Sequence, residues 1–226
     1  MKIDTPALIT YFAAALLCVL FGCLGMNDWV IFPKAVVVPS IFYYYYVNNN
    51  YTISFDKAII FLLAFTGDVY SMMEYETSFL VSFGCFMLIY LMILPQVAKD
   101  FMTNKFRKGD ALPILIVLVF ITYLLITMLR LDFKNEQRFF QLFLIYGIIL
   151  AVMGKLAILN YIAKGSRKTI SCVLMWTCFL LSDIFYVLYH FYVAFWMFEI
   201  IYVSAQLLSY FFMARYFLRR DQLINS

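Results

Sequence analysis

The stretch Phe65-Thr66-Gly67-Asp68-Val69-Tyr70 places an ionisable carboxyl group inside the apolar run Ala58 to Met73. A second stretch, Leu180-Leu181-Ser182-Asp183-Ile184-Phe185, repeats the arrangement later in the chain. A charge at the centre of a membrane helix costs roughly 2.5 to 3.5 kcal/mol even on lenient insertion scales, so intramembrane carboxylates mark sites by default. Both aspartates are therefore the first functional candidates.

Their surroundings decide the fold class. The 226 residues are 65% hydrophobic and 13% charged, with a mean hydropathy of +0.90, outside the range of soluble domains. A hydrocarbon core about 30 Å thick takes about 20 residues of helix. Apolar stretches of that length predict an all-α, polytopic membrane bundle in one domain over residues 1–226, with eight spans near 6–26, 29–47, 57–73, 77–98, 111–130, 139–163, 169–190 and 194–217. The third is short for a crossing. The first is expected to be a retained helix, because Lys2 beside Asp4 makes a weak basic leader.

Basic residues set the expected orientation. Twelve of them, among them Lys57, Lys99, Lys105, Arg107, Lys108, Arg167, Lys168, Arg219 and Arg220, fall on the side shared by both termini, against Arg130, Lys134 and Arg138 opposite. The positive-inside rule then makes both termini cytoplasmic. In a bacterium the membrane would be the inner one. On that topology Lys34, Asp68, Asp183, Tyr202 and Gln206 lie roughly 8 to 18 Å beneath the outer surface at 1.5 Å per residue. Polar residues of four spans thus share one layer.

Each candidate has two readings. Asp68 is either a register-fixing ion pair with Lys34 or an acid or base tuned by it. Asp183 with Ser182 is either an interhelical hydrogen-bonding device or a general acid without a cationic neighbour. Tyr202 and Gln206, at i and i+4, share a helix face and serve either helix packing or substrate contact. Tyr90 in span four is equally open. Lys155 is read as snorkelling, the tetrad Tyr43 to Tyr46 as an interfacial aromatic belt, and His190 as an interfacial structural residue. Neither nucleic-acid binding nor a metal or other cofactor is expected: the net charge of +4 comes from loop residues, and the five cysteines and one histidine have no ligand spacing. The cysteines are read as small packing residues. Serine hydrolase chemistry has no Gly-x-Ser-x-Gly elbow.

An ordered set of residues resembles the YhhN-like lysoplasmalogenases, small eight-span membrane proteins. The resemblance rests on Lys34, Gly67-Asp68 followed by Phe83-Gly84-Cys85-Phe86, Tyr146 through Met153 to Ala157, Leu181-Ser182-Asp183, and Tyr202 with Ala205-Gln206. The chain departs from the family pattern at Tyr90, where a histidine is usual, at Ile93 in place of tyrosine, and at Ala35 in place of proline. The resemblance implies a membrane lipid hydrolase that cleaves the vinyl-ether bond of a lysoplasmalogen to a fatty aldehyde and a glycerophospho-base. Asp68 and Asp183 would be the catalytic pair, Asp183 donating the proton and Asp68 stabilising the cation and activating water. Lys34, Tyr90, Tyr202 and Gln206 would bind or support the lysophospholipid, and no cofactor would be needed. The competing readings are a non-catalytic lipid-binding relative and a small proton-coupled transporter, for which no inverted repeat or broken helix is evident.

Overall fold

The computed structural model describes residues 5–73, 76–103, 111–129 and 140–224. Lys2, Lys105, Arg107, Lys108, Arg130, Lys134 and Arg138 of the orientation count lie outside them. The described chain forms eight α-helices: α1 (Thr5–Cys23), α2 (Asn27–Asn48), α3 (Phe55–Tyr70), α4 (Glu76–Met102), α5 (Ala111–Leu129), α6 (Phe140–Ala163), α7 (Arg167–Val187) and α8 (Trp196–Ile224), with one π-helical turn, π1 (Leu188–Tyr192), after α7. No strand occurs among the described residues. Helices satisfy every backbone group within their own segment, which hydrocarbon demands.

Among the described residues six helices, α1, α2, α4, α6, α7 and α8, are long and apolar enough to cross a bilayer. The eight expected spans thus meet eight helices. Helix α3, with 16 residues, is short for a crossing, and α5 is apolar along its 19 residues.

The neighbour pattern is a ring. Helices α2, α3, α4, α6, α7 and α8 pack in that order and close through α8 against α2, while α1 lies outside against α2 and α8, and α5 outside against α6. The buried side chains of Ile41, Ile60, Ile89, Ile93, Met153 and Phe217 fill the interior. Tyr11 of α1 donates its buried hydroxyl to the Leu207 carbonyl of α8, which fixes the outer helix to the ring. Gly154 lets α6 and α7 approach closely: the Trp176 indole lies over it and donates to the Leu150 carbonyl at 2.9 Å.

One end of the ring is tied by charge. Lys57 of α3 is bonded to Asp221 of α8, and Tyr45 of α2 donates to the same carboxylate at 2.7 Å. The Lys57 ammonium also lies 5.9 Å from the Tyr45 ring and 5.7 Å from the Phe217 ring. Beside it, Asp100 of α4 takes Lys168 of α7 at 3.0 Å, Arg220 at 3.7 Å and the Tyr216 hydroxyl at 3.0 Å. Gln96 joins Asp56 and Arg220 to this cluster. These contacts carry α8 to Ile224, beyond the expected end at 217, because paired charges let its last turns stay packed. Two expectations change here. Lys57 is a buried partner rather than a loop charge, and the tyrosine tetrad is split between Tyr43, 50% exposed, and Tyr45, fully buried.

Three outcomes are expected. A Cβ on Gly154 would lie 2.1 Å from Trp176 Cε2, so Gly154→Ala should cost about 1–3 kcal/mol by overpacking and lower the melting temperature in detergent. Gly84→Ala, with nothing within 4 Å of its Cβ, should be neutral or gain up to about 1 kcal/mol from helix propensity. At the charged end, Lys57→Met alone should cost about 3–5 kcal/mol, and the Lys57→Met/Asp221→Leu pair should recover most of it in a double-mutant cycle.

Candidate functional site

The site begins with a local exception in α2. Pro33 has no N–H to give the Trp29 carbonyl, which loosens the turn just before Lys34. Lys34 points inward, 6% exposed, and donates to Ser71 Oγ at 3.0 Å. Ser71 spends its own hydrogen on the Asp68 carbonyl at 2.7 Å. The Lys34 ammonium lies 3.9 Å from Asp68 Oδ1, so the expected ion pair exists but is loose.

Asp68 takes its short hydrogen bonds from α8. Gln206 donates to Oδ1 at 3.0 Å and Tyr210 to the same oxygen at 2.8 Å. Oδ2 is buried without a hydrogen-bond partner among the described residues. Helix α3 is held at this depth by Gly67, whose Cβ position is 3.2 Å from the Cys85 side chain, and by Ser82, which donates to the Gly67 carbonyl at 2.9 Å.

On the other wall, Tyr90 of α4 donates to Asp183 Oδ2 at 2.8 Å. Tyr146 of α6 lies beside Tyr90 and lines the same cavity as Asp183. The two phenol rings lie 5.3 Å apart, and Phe179 caps Tyr90 edge-on at 4.9 Å.

Between these clusters runs a cavity of about 520 Å³, within the size range of ligand pockets. Lys34, Tyr90, Asp183, Tyr202 and Gln206, five of the six candidates, line it. Asp68 does not. It is 2% exposed and lies behind Gln206, Tyr210 and Lys34, so its carboxylate does not face the cavity as the expected catalytic role would have it. The reason is physical: a carboxylate this deep needs donors on its surface, and those donors cover it.

The middle of the cavity is aromatic, lined by Phe79, Phe83, Phe86 and Phe143 among others. At its mouth stand Asp28, Glu199 and the π1 residues Tyr189 and His190. His190 stacks on Tyr186 at 4.0 Å, and Tyr202 meets Tyr186 edge-on at 5.4 Å. Single π turns recur at functional sites because the extra residue re-aims side chains. His190 is exposed at the end of the helix and also lines the cavity. Lys155 points away, to Thr122 of α5 at 3.2 Å, on the outer side of α6. All five cysteines are free thiols; Cys18, Cys85 and Cys172 are buried among packed side chains, Cys178 is half-buried and Cys23 is exposed, where it packs little.

Two contributors escape a reading of the sequence. Tyr210 continues the face of Tyr202 and Gln206 at a further i+4, a signal present in the spacing. Ser71, three residues after Asp68, carries no signal beyond proximity.

Chemically the cavity offers a proton-transfer group flanked by two phenols on one wall, an ammonium and an amide on the other, and apolar rings between. Comparison with family models, curated proteins and solved structures finds no match to this chain.

Tyr210→Phe removes one of the two short donors to a buried carboxylate and should cost about 1–3 kcal/mol. In an Asp68→Asn background the same change should cost less, and thermal unfolding in detergent of the four proteins measures the difference.

Proposed function

We propose that the protein is a membrane hydrolase of lysoplasmalogen type, acting on the vinyl ether of a single-chain lipid from the outer leaflet, with both termini cytoplasmic. The observation that carries this reading is Asp183 on the wall of a largely aromatic cavity, held by Tyr90 at 2.8 Å. Vinyl-ether cleavage needs an acid that protonates carbon, a counter-charge for the resulting oxocarbenium ion, and a base for the attacking water.

Asp183 supplies these roles in sequence. Its carboxylic acid gives a proton to the β-carbon of the vinyl ether. The carboxylate left behind faces the cation and then takes a proton from the water that adds to the α-carbon. The hemiacetal collapses to a fatty aldehyde and the free hydroxyl of the glycerophospho-base. Tyr90 holds the carboxyl group in place with Tyr146 beside it, and low-dielectric surroundings strengthen its interaction with the developing charge. Lys34 and Gln206 orient the glycerol part of the lipid, and Asp68 acts through them as the second carboxylate. Tyr202 borders the alkenyl path.

The resemblance to the YhhN-like proteins supports the same assignment, since its elements Lys34, Asp183, Tyr202 and Gln206 all line this cavity. One feature favours a second reading, a lipid-binding relative without turnover. Tyr90 occupies the position of the family's usual histidine, and its hydroxyl is engaged by Asp183. The transporter reading has less support: among the described residues the charges at the opposite end are paired with one another and do not line the cavity.

Purified protein in detergent should release aldehyde from a 1-alkenyl lysophospholipid. Asp183→Asn should lower turnover by about 10² to 10⁴, the usual span of a general acid, with the melting curve unchanged. Asp68→Asn should lower it as well. No aldehyde from folded protein over a panel of headgroups would transfer the case to the lipid-binding reading.

A further inference from the structure

The two buried lysines differ in what they do with their charge. Lys57 is bonded directly to Asp221 and packed between two rings, far from the cavity. Lys34 is almost as buried, but its nearest carboxylate oxygen is 3.9 Å away, already occupied at 3.0 and 2.8 Å by Gln206 and Tyr210. Its one hydrogen-bond acceptor among the described residues is the neutral hydroxyl of Ser71, and it lines an aromatic cavity. A buried, loosely paired lysine that opens onto a cavity, with a carboxylate beside it as base, is placed to add to a carbonyl compound.

We propose that Lys34 is a carbonyl-capture site, forming a reversible imine with a long-chain aliphatic aldehyde held in the cavity. The proposal deepens the hydrolase reading, on which it rests for the source of the aldehyde. The Nζ lone pair adds to the aldehyde carbon, a C–N bond forms, and the carbonyl oxygen leaves as water. The ammonium first yields one proton to the Asp68 carboxylate. That carboxylate is the adjacent base, and its Oδ2 has no hydrogen bond among the described residues to lose. Phe83, Phe86 and Phe179, which also line the cavity, give the alkyl chain an apolar path. Imine formation would hold a reactive product inside the protein until water releases it.

The test uses hexadecanal added to purified protein in detergent with sodium cyanoborohydride, followed by peptide mass spectrometry. Turnover of a lipid is not needed, so failure of the hydrolase reading and failure of this one are separable. The expected result is a hexadecyl adduct on Lys34 at occupancy at least tenfold above that of any exposed lysine such as Lys164. A non-cleavable 1-alkyl lysophospholipid should suppress it at least fivefold. Lys34→Arg, which keeps the positive charge but gives no reducible alkyl imine, should abolish it without a change in melting temperature. An adduct spread evenly over the exposed lysines, or labelling that ignores the competitor, would overturn the proposal.

Discussion

A carboxylate cannot be solvated by hydrocarbon, and the ring of helices is arranged around meeting that demand at Asp68. Its donors come from α8, its cation from α2, and its own helix is held close to α4 by Gly67 and Ser82. Four helices are thereby fixed at one depth. Removing a donor leaves a buried charge exposed to its surroundings, which costs more than the bond itself contributed. The polar layer is in this sense what sets the register of the bundle, while the apolar contacts provide its bulk stabilisation.

The second aspartate meets the same demand differently. Asp68 is covered on all accessible sides, whereas Asp183 is held from Tyr90 and remains open to the cavity. The two groups are therefore suited to different work. A covered carboxylate orients what lies above it, and an open one can exchange a proton with what enters. That division, rather than the presence of two acids, is the basis of the mechanism assigned to the site.

Much of this was legible before any coordinates, for a definite reason. Asp68, Asp183 and Lys34 are charges in apolar runs, so they contrast with their neighbours, and the depth estimate groups five residues that do share one cavity or its back wall. Helix number follows from apolar length, and the shortness of α3 follows as well. Tyr210 and Tyr146 are harder, because a phenol in a chain with 18 tyrosines has no contrast. The π turn at Leu188–Tyr192 is harder still, since it differs from an α-helix by one residue per turn and the sequence carries no mark for that. The charged end is only partly legible for a related reason. Lys57, Arg220 and Asp221 look like interfacial charges until their mutual pairing is seen.

That pairing has a mechanical meaning. The helix ends at Tyr45, Lys57, Asp100, Lys168 and Asp221 are tied by ion pairs and hydrogen bonds, whereas the ends around the cavity meet through rings and a few hydroxyls. Rods clamped at one end and only stacked at the other bend most at the free end. Small rotations at the clamp are multiplied along about 30 Å of helix. Thermal motion is thus directed to the mouth, between α2, α7 and α8, where a flexible chain has to pass, and withheld from the far side, where a breach would join the two aqueous phases.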